Sequence, residues 1–481
     1  MSNETSGTTM MDSKAEKAEY GASCRPAQHL KRNVDSTRRL YGSALAQYIL
    51  QRASYIFEMF QSHSSPSCSC FFVISSIIMF ALALLLLVNC ASIVFTAPAH
   101  NGPSTYALES KAAVDALQEW YNTTSGLWDT TGWWNSANVV TMLADLVAID
   151  ASVERLTKTV FPNTFAQAQK YNLQQLKIRT PTYIETFDKD EIPNGHEKPP
   201  VINPKGFVND YYDDEGWWAL AWIRVYDHTH EPQYLIMAED IFRDLLTGWN
   251  AICGGIWWNK PHNGNNAIEN ELFISVAAHL ANRVNEDKKL YYLNWALESW
   301  SWFRNSGMIN SQNTINDGLD LRTCQNNNGT IWSYNQGVIL GALVELYSAT
   351  SSAHPIIVTN TNNYLPTASL IAHAAIAHLT SADSILHDPC EPDCGNDGPQ
   401  FKGVFMRNLQ ALQAVAPDQA FSDFIERNAQ SVWERARSAR GNLLGVVWSG
   451  PFLAGGGGAS PQSSGAEALV AALSLREKGT G

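Results

Sequence analysis

From about residue 105 onward, one local pattern keeps returning. A loop of polar and aromatic residues runs into a helix rich in Ala, Gly and Ser: DDEGWWALAW at 213–222, NNAIENELFISVAAHL at 265–280, YNQGVILGALVEL at 334–346 and FKGVFMRNLQAL at 401–412. Apolar spacing predicts helices across 133–149, 217–225, 270–284, 291–306, 336–349, 368–379, 404–415 and 466–475. Ala112, Val114, Leu117 and Tyr121 share the face of an earlier one. Strand-like alternation is scarce. Small residues let helix axes approach closely, and polar N-terminal ends imply that those ends meet at a shared site. An all-α toroid satisfies both conditions: paired helices in two concentric rings, with the loops at one end forming a cleft. The pattern has no strict short period, which excludes a simple solenoid.

Composition narrows the ligand. Aromatic residues make up 11% of the 481, including 16 Trp. Trp at that density fills a large core or lines a groove for flat, amphipathic ligands, and sugars are such ligands. A hydrophobic share of 45% against 16% charged rules out wholesale disorder. The net charge of −13 argues against a nucleic-acid partner, which would require a basic face. Charge is unevenly placed. Residues 1–58 carry 8 basic and 6 acidic side chains, 59–108 carry none, and 109–481 carry 25 basic and 40 acidic.

Within the uncharged gap lies FFVISSIIMFALALLLLVNCASIVF at 71–95, a stretch of 25 residues. About 20 apolar residues cross a bilayer as a helix. Two readings compete for the segment 70–95. In one it is a type II signal anchor, with Lys31, Arg32, Arg38, Arg39 and Arg52 on the cytosolic side. In the other it is a signal peptide cleaved near Ala97-Pro98-Ala99. Residues 1–69 read as a polar, disordered tail. Both readings place 100–481 in the secretory pathway, at the cell surface or outside the cell. The cysteines agree with that. Cys24, Cys68, Cys70 and Cys90 lie before or within the apolar stretch. Cys390 and Cys394 are close enough for a local staple, which leaves Cys253 to Cys324. CEPDC lacks the second ligand pair of a metal site, as does His228-Thr-His230, so no metal or other cofactor is expected. Asn122-Thr-Thr and Asn328-Gly-Thr are glycan acceptors in an oxidising compartment.

Chemistry concentrates at Asp213-Asp214-Glu215, ahead of a double Trp. Capping of a helix start explains one acid, or two. Glycosidases use two carboxyl groups, and retaining ones hold them about 5–5.5 Å apart. Adjacent Cα atoms lie about 3.8 Å apart, so neighbouring carboxyls reach that separation on a loop or first turn. On a regular strand they would point to opposite faces. Close like charges split the two pKa values, which leaves one acid protonated and one ionised.

Taken in order, GWWNSAN at 132–138, YYDDEGWWALAW at 211–222, GGIWW at 254–258, NAIENELF at 266–273, YNQG at 334–337, DGPQFKGVFMRNL at 397–409 and WSGPF at 448–452 resemble the α-1,6-mannanase family, glycoside hydrolase family 76. The resemblance covers roughly 110–475. It implies an (α/α)6 barrel over 100–481 and a retaining endo-α-1,6-mannosidase acting on α-1,6-linked mannan without a metal. It also implies Asp213 as nucleophile and Asp214 as general acid/base, although the two roles are not separable from sequence. Some fungal members are transglycosidases that attach glycoproteins to wall glucan and carry a C-terminal lipid-anchor signal. This chain ends ALVAALSLREKGTG, a short apolar stretch followed by charges, so hydrolysis is the favoured expectation. A catalytically silent mannan-binding protein is the alternative of another class.

Further residues are candidates for sugar contact. Each double Trp (Trp133-Trp134, Trp217-Trp218, Trp257-Trp258) is expected to send one ring to the core and one to the cleft, and Trp134, Trp217, Trp218 and Trp258 are the candidates. Asn138 shares a helix face with Trp134. Asn266, Asn270 and Glu271 are polar at an apolar helix start, where capping explains one of them at most, and Asn270 and Glu271 are taken as candidates. Tyr334 and Gln336 read the same way. Lys402 and Arg407 either serve the substrate or pair with acids.

Overall fold

The computed structural model describes residues 105–170, 175–179, 184–188, 206–352, 363–380, 382–453 and 455–478. The tail at 1–69, the apolar segment at 70–95 and Cys24, Cys68, Cys70 and Cys90 lie outside the described residues. Among the described residues, no helix is long and apolar enough to cross a membrane.

The chain is built from helices joined in pairs. They are α1 (Thr105–Leu117), α2 (Trp133–Val147), α3 (Glu154–Gln167), α4 (Tyr212–Thr229), α5 (Pro232–Leu245), α6 (Ala267–Ala281), α7 (Glu286–Asn305), α8 (Ser333–Ser351), α9 (Tyr364–His378), α10 (Phe401–Val415), α11 (Gln419–Glu434) and α12 (Ala459–Lys478). The even-numbered helices contact one another in a closed circuit, α2 to α4, α6, α8, α10, α12 and back to α2. The odd-numbered helices pack outside them. The result is a helical toroid.

Sequence explains which helix goes to which ring. In α6 nearly every residue is buried, and in α8 the run from Ser333 to Leu343 is buried without a break, so their apolar and small side chains continue around all faces there. In α11 only one stripe is buried, including Phe421, Phe424, Ile425 and Val432, because its other face meets water. Small residues set the inner spacing. A Cβ on Gly337 would lie 2.6 Å from the Phe405 backbone, and one on Gly403 would lie 2.7 Å from the Ser464 backbone. Helices α8, α10 and α12 can therefore approach only as closely as these glycines allow.

Three outer helices, α3, α5 and α11, go beyond those expected from the small-residue pattern. They are more polar, and α3 contains Pro162. Helices also run longer than expected, and of the two expected settings for the Asp213-Asp214-Glu215 run, loop or first turn, it takes the first turn of α4. Two short hairpins complete the fold, β1 (Tyr121–Asn122) with β2 (Leu127–Trp128) and β3 (Gln175–Arg179) with β4 (Ile184–Asp188). The strands of the second are five residues each, too short for alternation to register as a pattern.

Connection length polarises the toroid. Turns from an inner to the next outer helix are brief, as at 230–231, 282–285 and 416–418. Connections from an outer to the next inner helix are long, as at 246–266, 306–332, 379–400 and 435–458. Long loops therefore gather where the inner helices begin. The two expected disulfides lie in those loops: Cys253–Cys324 ties 246–266 to 306–332, and Cys390–Cys394 staples 379–400. At the opposite end, around the C-terminal turns of the inner helices, Arg224 pairs with Asp145 and Asp227, and Arg283 pairs with Asp227 and Glu345.

Candidate active site

Four inner helices contribute one aromatic ring each to a closed floor. Trp134 stacks on Trp217 at 5.6 Å, Trp217 on Tyr334 at 6.5 Å and Tyr334 on Phe401 at 3.9 Å, and Phe401 returns to Trp134 at 6.5 Å. Such pairs add about 0.5–1.5 kcal/mol each beyond their burial. The Trp134 indole N–H donates to Asp397 Oδ1 at 3.0 Å, which brings the loop ahead of α10 onto the floor.

The double Trp motifs divide as residues 100° apart on a helix must. Trp134 and Trp217 form the floor. Trp133 and Trp218 turn away into the inter-helical core, where Trp218 packs on Phe207 at 4.6 Å and Trp222 at 5.5 Å and is 0% exposed. The expectation that Trp218 meets sugar is therefore corrected: it is core. In the third pair, Trp258 is buried against Tyr211 at 5.1 Å, and Trp257 lies half-buried on His262.

Three acids share the first turn of α4, in three different settings. Glu215 points to the periphery, where Oε1 accepts from the Asn209 backbone N–H at 3.0 Å and lies 3.0 Å from Lys260 Nζ. Burial pushes its carboxyl well above the usual value, against the pull of Lys260. Asp214 is 0% exposed and its Oδ2 accepts from Asn209 Nδ2 at 2.7 Å. Asn209 also takes the Tyr211 backbone N–H on its Oδ1 at 2.8 Å, so one residue clasps the whole turn. Asp213 keeps 8% exposure, and its charge reaches Tyr334 and Glu269.

The start of α6 supplies more acid. Asn266 and Glu269 form a reciprocal capping box. Asn266 bridges to Gly318, which sets the neighbouring Asp317 beside the helix start. Burial raises Glu269 and Glu271 well above the usual carboxylate value, and Asp317 adds to both. Burial likewise raises Tyr334, with Asp317 and Asp213 next in effect. Asp317 carries no local signature, and Asp397 stands out only as the first residue of the 397–409 block. Each is an acid before a glycine in a long loop, and only the fold brings it to the floor.

Several expected contacts prove to be supports. Asn270 Oδ1 accepts from Ile256 N at 2.9 Å and its Nδ2 donates to Asn266 O at 2.7 Å, so it holds the 246–266 connection at two points. Gln336 does the same for Ile315, accepting from its N–H at 2.8 Å and donating to its carbonyl at 2.9 Å. Asn138 Oδ1 receives Arg407 Nη2 at 2.7 Å, below the floor. Glu271 is fully buried, and neither of its carboxyl oxygens has a hydrogen-bond partner among the described residues. Lys402 pairs with Glu391 and Arg407 with Glu467, so both cations serve acids of the fold. Among the described residues, no cluster of His, Cys, Asp and Glu has the geometry of a metal site.

Glu467 yields a pH test. Burial pushes its carboxyl up to about 7 from 4.5, against the opposing Arg407. Between those values the folded chain holds a proton that the unfolded chain has released. Stability from this group therefore falls as pH rises through that window. In Glu467→Gln, urea midpoints measured from pH 5 to 7.5 should decline less steeply than in the unmodified chain. Parallel declines would contradict the assignment.

Comparison with known proteins adds to this geometry. The model of glycosyl hydrolase family 76 matches residues 105–480. Mannan endo-1,6-alpha-mannosidase DFG5 of Saccharomyces cerevisiae is 24% identical over 258 residues, covering 49% of this chain and 54% of its own length. The chain spans about half the length of the curated relatives it matches. The crystal structure of the Lin0763 protein from Listeria innocua superposes with a TM-score of 0.62 at 25% identity, covering 78% of this chain and 99% of that one. An inactive variant of the alpha-1,6-mannanase GH76A of Salegentibacter sp. HEL1_6, with two consecutive aspartates replaced, is solved in complex with alpha-1,6-mannotetrose. It superposes with a TM-score of 0.60 at 20% identity, covering 77% of this chain and 99% of that one.

Proposed function

The chain belongs to glycosyl hydrolase family 76, and from that premise we propose that it is a retaining endo-α-1,6-mannanase whose catalytic pair is Asp213 and Asp214. The carrying observation is the placement of the two neighbouring aspartates in the first turn of an inner helix, beside a four-ring aromatic floor. The Salegentibacter mannanase loses activity when two consecutive aspartates are replaced, and its variant holds an α-1,6-linked mannose oligomer. Mannan is the substrate that both lines support.

In this reading Asp213, the more accessible of the pair, attacks the anomeric carbon. Asp214, oriented by Asn209, gives its proton to the departing O6 as the C1–O6 bond breaks. A glycosyl ester on Asp213 results. Asp214 then takes a proton from water, the hydroxide adds to C1, and the ester bond to Asp213 breaks with net retention. The apolar floor stacks against sugar C–H faces and excludes bulk water.

The catalytic unit works outside the cytosol. The two disulfides fit an oxidising compartment. The uncharged stretch at 71–95, preceded by basic residues, reads as a type II anchor, with cleavage after 97–99 as the alternative. Incubating residues 100–481 with linear α-1,6-mannan should release internal fragments whose new reducing ends are first formed as the α-anomer. A large excess of acceptor glycan should not divert them. Transfer to acceptor in place of hydrolysis would identify a transglycosidase, and binding without cleavage a silent lectin.

A further inference from the structure

A groove of about 560 Å³ opens in the loop-bearing face, and it includes none of the floor aromatics or the acids around them. That volume suits a small ligand. One wall is a single face of the outer helix α7, where Glu298, Ser301, Trp302 and Asn305 recur at helical spacing. The other wall is the Cys253–Cys324 disulfide.

Trp302 is held rigidly. Its indole N–H donates to the Cys253 carbonyl at 3.1 Å, so the ring offers its apolar surface rather than its donor. Gly254 and Gly255 have φ of +80° and +67°, and a Cβ on either would overlap the indole. The loop is shaped to the ring. Asn305 Nδ2 donates to the Ser301 carbonyl at 2.7 Å, which leaves its Oδ1 as an acceptor. Ser301 and Glu298 are exposed and add a hydroxyl and a carboxylate. No Lys or Arg lines the groove, so nothing in it favours an anion. A flat apolar surface edged by hydrogen-bond acceptors matches a neutral hexose.

We propose that this groove is a second carbohydrate-binding site, taking a neutral hexose or disaccharide unit of a long glycan outside the catalytic mouth. It rests on the reading that the chain acts on a polysaccharide. The loop that carries Asp317 to the floor also lends Leu319 to the groove, two residues on. A polymer meets the groove across that one loop, and it carries more units than a tetraose with which to span mouth and groove together.

The test uses Trp302→Ala, which removes the stacking surface, and Ser301→Arg, an exposed change that fills the groove without touching the loop packing. Native-gel retardation by linear α-1,6-mannan, run cold to suppress cleavage, reads binding. Both variants should bind mannan roughly fivefold to tenfold more weakly, the scale of one lost stacking contact. KM on the polymer should rise in step, with kinetics on mannotetraose unchanged. Equal retardation of all three proteins, no retardation of the unmodified chain, or polymer and tetraose kinetics moving together would overturn the proposal. If the unmodified chain is retarded by mannan yet cleaves neither substrate, the hydrolase reading fails while the groove is still judged by retardation alone.

Discussion

Replacing Asp213 or Asp214 with asparagine is expected to lower turnover of linear α-1,6-mannan by about a hundredfold to ten-thousandfold. Asparagine keeps the size and the hydrogen-bonding shape but can neither form the glycosyl ester nor move a proton. Folding should survive, because Asn209 can still donate to the side-chain carbonyl at position 214. The two variants should differ on an aryl mannoside with a good leaving group. Asp214→Asn should retain glycosyl-enzyme formation, since little protonation is required, and added azide should yield a mannosyl azide of retained configuration. Asp213→Asn should give no such rescue, or a product of inverted configuration. Glu215→Gln is the control, because its carboxyl faces Lys260 and the Asn209 backbone rather than the floor. Near-normal turnover in Asp213→Asn and Asp214→Asn would remove the catalytic assignment.

Replacing Arg283 with methionine is expected to cost about 3–5 kcal/mol of stability near neutral pH. The guanidinium binds two carboxylates at once, Asp227 at 2.7 and 2.9 Å and Glu345 at 2.8 and 3.1 Å. It also donates to the His279 carbonyl at 3.0 Å. Burial by itself would raise the Glu345 carboxyl, but His279 and Arg283 together hold it well below its ordinary value. A depressed carboxylate stabilises the fold above its unfolded value of 4.5, and that contribution fades as pH falls below it. The deficit of the variant should therefore be largest at neutral pH and shrink in acid, as the stranded carboxyls take up protons. Urea unfolding of both proteins at pH 7 and pH 4 measures this, and a deficit independent of pH would rule the mechanism out. Activity of the folded fraction should be unaffected, because the network lies at the inner C-termini, across the toroid from Asp213 and Asp214.

The double Trp motifs show how far sequence reasoning carries. That neighbouring rings must diverge follows from helix geometry alone, and the divergence of Trp134 from Trp133 and of Trp217 from Trp218 is what the fold displays. Which ring faces the axis depends on how each helix is rotated against its neighbours, and no local pattern encodes that. Trp218, a sugar candidate by sequence, goes to the core for this reason. Asn270 and Gln336 show a second limit. A buried amide must find partners, but sugar hydroxyls and loop backbone are equally good ones, and here the long loops take them. Asp317 and Asp397 show a third, since a loop acid has no periodicity to betray its direction.

The small-residue helices, the acid run ahead of a double Trp and the paired cysteines are enough for a helical ring with its acid run at an inner N-terminus. Those features depend on neighbours a few residues apart, where helix pitch and chain connectivity leave little choice. Only the assembled toroid decided that four aromatic rings close into one floor, that Asn209 clasps the acidic turn and that Asp317 and Asp397 arrive from distant loops. Those contacts join residues separated by up to hundreds of positions. Their geometry comes from the rotation and spacing of packed helices, which the linear order of side chains does not contain.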